Sequence, residues 1–125
     1  MSKAYKRVTT IKKALEDIEF ILSQKEFKIT QVIEDKILKP ALRMHIIRIA
    51  EQFQKLKDEN EFEILEKFDK KDLRGISAVR NFIAHDYDSV DDLIIDNAIR
   101  YNFPKIKQIV EKILQKDNND NFTSD

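Results

Sequence analysis

VTTIKKALEDIEFIL, residues 8–22, sets Val8, Ile11, Leu15, Ile18 and Leu22 three and four positions apart, with charged residues in between. That spacing lines apolar side chains along one face of an α-helix. A half-buried strand would need alternation at every second residue, which no useful length of the chain shows. After a connection at residues 24–30, a second segment opens near Gln31 and carries Pro40. Proline has no amide hydrogen, so Pro40 either begins a new helix or kinks one. Leu42, Ile46, Ile49, Phe53 and Leu56 then form a second stripe. Residues 57–61 are a polar break, and Phe62, Leu65 and Phe68 suggest a short helical piece after it.

A third main helix is expected from Asp69 or Lys70 through Arg80 towards His85. Ser89, Val90, Asp91 and Asp92 resemble a capping box, with Asp standing where Glu or Gln is usual. They mark the end of that helix and the start of the next. Ile94, Ala98 and Tyr101 line the following helix, Pro104 interrupts it, and Ile106, Ile109, Val110 and Ile113 carry it on. The expected fold is all-α, an up-and-down bundle of four to five helices with short connections. The domain spans residues 1–116, and the Asn- and Asp-rich tail at 117–125 reads as disordered.

Composition agrees and excludes several functions. A chain of 125 residues suits one domain. With one glycine, two prolines, 42% hydrophobic and 37% charged residues, it has core material, few helix breakers and a charged surface. The absence of cysteine removes disulfides and thiol chemistry. No apolar run of about 18 residues could span a membrane, and no charged-then-apolar leader surrounds Lys3 and Arg7, so a cytoplasmic protein is expected. Lysine plus arginine, 23, equals aspartate plus glutamate, 23, so contact with RNA must come from a local patch.

RNFIAHDY, residues 80–87, holds one of the two histidines and begins five residues after the only glycine, Gly75. On a helix turning about 100° per residue, Leu73, Ile76, Val79 and Ile83 share a broad arc that should face the core. Arg80 falls inside that arc, and Tyr87 would lie within about 20° of Arg80. A buried arginine needs its charge satisfied. The ordinary reading is a structural ion pair or a stem that reaches out to water. His85 lies on another line with Arg74, Ser77 and Asn81, joined by Lys67, Lys70 and Lys71 if the helix starts early enough. Most such stripes are simply solvated faces.

Five residues turn a helix by about 140°, so Arg80 and His85 leave in different directions. They meet on one phosphate only if the helix frays near His85 or a second subunit brings its own copy across a two-fold axis. A homodimer is the geometric inference. Such a set suits RNA cleavage without metal. A neutral histidine takes a proton from the ribose 2′-hydroxyl or gives one to the leaving 5′-oxygen. A forked, permanently charged arginine holds the phosphate, and Asn81 adds an uncharged hydrogen bond.

The pattern of Arg, four residues, His, any residue and Tyr, met by Arg80, His85 and Tyr87, resembles the HEPN superfamily, and within it the HepT-like toxins of HEPN/MNT toxin–antitoxin pairs. A polar residue often follows the arginine there, as Asn81 does. Ala41, Leu42 and Arg43 with the run from Ile47 to Glu51 are similar to the family's second-helix segment, with Ala50 and Gln52 in place of its usual Gly and Ala. Val90, Asp91, Ile95, Phe103 and Pro104 fit its final helices. The resemblance covers residues 5–115 and implies a dimeric helical bundle with the motif helices facing each other. It implies the toxin of a type VII system, a metal-independent ribonuclease of messenger or transfer RNA with no cofactor. It also implies a nucleotidyltransferase antitoxin that adenylylates the motif tyrosine, here Tyr87. Arg80 and His85 are then the expected catalytic pair, with Asn81 and Glu51 in support. Glu51 would be an acid paired with Arg80 or His85, where the plainer reading is an exposed helix glutamate.

Two other functions compete. One is a non-catalytic helical module that binds a nucleotidyltransferase-fold partner through its apolar and motif faces. The other is a histidine phosphotransfer bundle, which needs a lysine and a glycine soon after the histidine, where this chain has Asp86, Tyr87 and Asp88. The carboxylates Asp86, Asp88, Asp91 and Asp92 read as helix capping before they read as a divalent-metal site, because their spacing is not that of a ligand set. His45 reads as an ordinary helix residue.

Overall fold

Each long apolar stripe of the sequence becomes the buried face of a helix. Val8, Ile11, Leu15, Ile18 and Leu22 are buried, as are Leu42, Ile46, Ile49, Phe53 and Leu56, and later Ile106, Val110 and Ile113. The computed structural model describes residues 2–85 and 89–123. Helices run over Lys3–Ser23 (α1), Ile29–Glu34 (α2), Leu38–Asp58 (α3), Phe62–Leu65 (α4), Lys70–Ala84 (α5), Ser89–Asn97 (α6) and Phe103–Thr123 (α7), with a π-helical segment at Ala98–Asn102. The longest, α1, α3, α5 and α7, form an all-α bundle in which α1 packs against α3 and α7, and α5 against α3, α7 and the π segment. Among the described residues there is no strand, and no helix is long and apolar enough to cross a membrane.

Local chemistry sets the helix starts. The Ser2 hydroxyl accepts from the Tyr5 amide at 3.2 Å, and the Asp69 carboxylate accepts from the Lys71 amide at 2.8 Å. Before α3, one oxygen of Asp35 accepts from the amides of Ile37 and Leu38 at 2.8 and 2.9 Å. Those two bonds, with Leu38 the larger cause, hold the Asp35 carboxyl below the usual carboxylate range. Pro40 falls in the first turn, where its missing amide hydrogen leaves no intrahelical bond unmade. Both ends of α3 are tied to neighbours. Lys39 pairs with Asp92 of α6 at 3.0 Å. Arg7 of α1 donates from Nε to both oxygens of Glu59, at 3.0 and 2.9 Å, and Lys3 lies 3.2 Å from the same group. The Arg7 hydrogen bonds pull the Glu59 carboxyl down to about 2.

Tyr101, expected on the core face, is exposed, while Ile95, Ala98, Ile99 and Phe103 are buried. At about 100° per residue Tyr101 lies about 120° from Ile95, so the face built on Ile95, Ala98 and Ile99 leaves it outside. A π segment follows. Pro104 cannot donate a backbone bond, and its ring would crowd the carbonyl four residues earlier. The chain widens instead, so that the Phe103 amide donates to the Ala98 carbonyl five residues back. Helix α7 then passes Asp117, where the polar composition begins, and continues to Thr123.

One polar contact crosses the bundle at this widened turn. Asp72, in the first turn of α5, is buried to 3% exposure, and its Oδ1 accepts from Nδ2 of Asn102 at 2.9 Å. The Asn102 amide lies against Gly75, where an added Cβ would stand 3.0 Å from its Oδ1. An alanine helix residue is ordinarily favoured over glycine by about 1 kcal/mol. Here that gain is opposed by displacing an amide that satisfies a buried carboxylate. Gly75→Ala alone should therefore lower stability, while in an Asn102→Ala background it should raise it. The coupling in a urea-unfolding double-mutant cycle should exceed about 1 kcal/mol; simple additivity would show that the amide moves aside freely.

Candidate ribonuclease site

The buried aspartate also decides where α5 presents its motif. Taking Ile76 as the reference and about 100° per residue, Asp72 and Val79 lie about 40° and 60° to one side, and Arg80 about 40° to the other. Ile76 and Val79 are each 1% exposed, so the buried centre is rotated towards Asp72. Leu73 and Ile83 are only half-buried, and Arg80 is exposed. The placement of Arg80 in the core-facing arc is thus corrected. Asp72, which the apolar spacing does not mark, takes part of the core, and the arginine is turned out.

Arg80 and Asn81 line a groove of about 370 Å³ between α3 and α5, with Ser77 beside them. Glu51 stands on the α3 side, followed by Gln54, Lys55 and Asp58. Three expected site residues, Glu51, Arg80 and Asn81, therefore share one cleft, all of them exposed. Among the described residues Arg80 makes no ion pair, with Glu51 or any other acid, whereas Asp58 is engaged by Gln54 Nε2 at 2.9 Å. A forked cation beside open space, without a carboxylate on it, is free to take an anionic ligand.

His85 is placed differently. Helix α5 ends at Ala84, and His85 is its C-terminal cap, with φ −95° and ψ 2° and its amide donating to the Asn81 carbonyl at 3.1 Å. The backbone has left α-helical geometry at the histidine. Its side chain is exposed, outside the residues that line the Arg80 groove. Tyr87, Asp86 and Asp88 lie outside the described residues, as do the side chains of Ser89, Val90 and Asp91, so the capping-box reading lies there too. Of the four crowded carboxylates, Asp92 turns to α3 and Lys39.

The basic stripe is shorter than its longest reading. Because Asp69 caps α5, Lys70 and Lys71 join Arg74, Ser77 and Asn81 on exposed surface, while Lys67 lines a different cavity with Tyr5 and Lys112. The contribution of Gln54, Lys55 and Asp58 to the groove was not anticipated. Its signal was present, since these residues continue the line of Glu51 at helical spacing opposite the buried stripe of α3.

A family model described as Ribonuclease HepT-like matches residues 11–113. The chain belongs to the HepT-like family. No curated protein and no solved structure matches it. The span of the HepT-like match runs from α1 into α7 and takes in both walls of the groove and the end of α5.

Because Arg80 is exposed and unpaired, it should contribute little to folding. Arg80→Ala is expected to change unfolding free energy by no more than about 0.5 kcal/mol in urea titration. A loss above about 2 kcal/mol would mean that the arginine serves as a structural ion-pair member.

Proposed function

We propose that this HepT-like protein is a toxin of the HEPN/MNT type, a metal-independent RNA endonuclease that acts through Arg80 and His85 in a cleft between two copies of the chain. The observation that carries the reading is the family match over residues 11–113, which contains an exposed arginine in an open groove and a histidine at the helix end five residues on.

In this mechanism the His85 imidazole removes the proton of the ribose 2′-hydroxyl. The 2′-oxygen attacks the adjacent phosphorus and forms the new P–O bond. The P–O5′ bond breaks, and an imidazolium protonates the departing 5′-oxygen, leaving a 2′,3′-cyclic phosphate and a 5′-hydroxyl end. Arg80 holds the non-bridging oxygens and stabilises the charge that builds on them. Asn81 adds a neutral donor from the same groove, and Glu51 lines its opposite wall. Since Arg80 and His85 leave one helix in different directions, the second copy supplies the complementary acid–base group.

Tyr87 follows the histidine by two residues. Its adenylylation by a nucleotidyltransferase antitoxin would add phosphate charge and bulk beside the cleft, repelling RNA phosphates. Co-expression with such a partner should add one adenylyl group per chain, located on Tyr87 by peptide mass spectrometry. An unmodified tyrosine in a fully neutralised complex would assign inhibition to occlusion alone.

With EDTA present, the purified protein should cut single-stranded or transfer RNA, and His85→Ala should slow the cut at least about a hundredfold. Equal rates for the two proteins would remove the histidine from the chemistry. Tight binding of a nucleotidyltransferase without any RNA cleavage would favour a non-catalytic module instead.

A further inference from the structure

The groove that holds Arg80 does not end there. A second depression of about 230 Å³ shares Ala50, Gln54 and Ser77 with it and runs on along the α3–α5 seam. Its mouth carries Lys57 and Arg74, and its floor is Phe53, Leu65 and Leu73. Phe53 is fixed by an edge-to-face contact with Phe68, at a ring-centroid distance of 5.0 Å. Leu65 and Leu73 are half-buried and leave apolar surface open in the depression.

The seam carries an excess of positive charge. The two depressions together carry four cations, Lys55, Lys57, Arg74 and Arg80, against two carboxylates, Glu51 and Asp58. Among the described residues none of the four cations makes an ion pair, although Arg7, Lys39, Arg48, Arg100 and Lys107 elsewhere all do. Arg74 is steadied by donating Nε to the Lys70 carbonyl at 3.4 Å. In a chain with no net charge, exposed cations left unneutralised along one groove match a polyanion laid lengthwise. Arg74 and Arg80 are six residues apart, about 9 Å along the helix axis and about 120° around it, and each lines one of the two joined depressions. The alternation of a cationic rim with an apolar floor suits a phosphate and the flat face of a base.

We propose that the α3–α5 seam is a second nucleotide subsite for single-stranded RNA: Lys57 and Arg74 hold the phosphate next to the one held by Arg80, and its base rests on Leu65 and Leu73. The subsite rests on the ribonuclease reading and extends it, since it makes the enzyme prefer an unpaired strand over an isolated phosphodiester. Base pairing would deny the apolar floor its contact.

The test is a length series. Single-stranded RNAs, from a dinucleotide upward, are extended one nucleotide at a time on either side of the cut. With wild-type protein, kcat/KM should rise about tenfold or more with the first nucleotide added on one side. Lys57→Gln/Arg74→Gln should erase that rise, and the slope of log kcat/KM against log salt should flatten by about 0.7 for a lost phosphate contact. Lys105→Gln/Lys112→Gln removes the same charge elsewhere on the surface and should keep the rise. A flat series in an active wild-type protein, or a rise that survives Lys57→Gln/Arg74→Gln, overturns the subsite while leaving the nuclease intact. Equal losses in both double variants reduce the effect to general electrostatics and also overturn it. If wild-type protein cuts none of the RNAs, the ribonuclease reading itself fails and the subsite with it.

Discussion

Asp72 is a charged side chain enclosed within a bundle that otherwise buries apolar residues, and much of the molecule's geometry follows from how it is accommodated. A carboxylate out of water is costly unless hydrogen-bonded. Asn102 provides that bond from across the bundle, and the site near the start of α5 adds the favourable field of a helix N-terminus. Gly75 supplies the room. With no Cβ, it lets the Asn102 amide reach the carboxylate from one turn further along α5. These three residues fix both the rotation of α5 and its closeness to the turn before α7. The rotation places Asp72, Ile76 and Val79 inward and Arg80 outward.

The consequence for the site is that its arginine is presented by packing instead of being held by a partner. Arg80 faces a groove whose other wall is α3, and the ends of α3 are fixed by Glu59 to α1 and by Lys39 to Asp92 of α6. One wall is thus a helix tied at both ends, and the other is held at its first turn by the Asp72–Asn102 bond. His85 differs in kind. As the cap residue of α5 it stands where the backbone has left helical geometry, its amide on the Asn81 carbonyl.

Most of the fold was legible because burial in a helical bundle writes itself into the sequence at intervals of three and four. The stripes of α1, α3 and the later part of α7 are found where periodicity places them, and Asp69 signals the start of α5. What periodicity could not show was polar burial. Asp72 carries no local mark of its partner thirty residues away, so the inward face of α5 reads as centred nearer Arg80 than it is. Tyr101 differs for a simpler reason: the spacing aligns it with Ile94 and Ala98, whereas the buried face runs through Ile95, Ala98 and Ile99. Of the candidate site, the residue types and their helices were visible in the motif. The groove was less so, because it is made by two helices whose polar faces only meet after folding.

The π-helical segment has one more consequence. A helix that gains a residue without gaining length acts as a phase shifter: residues before it and after it keep separate angular registers, although the axis runs on. Rewinding Ala98–Asn102 as ordinary α-helix with no position lost would swing Asn102 by roughly a quarter turn away from Asp72. The irregular turn thus holds a buried acid's counterpart in alignment, and indels there would be felt at the far wall of the bundle.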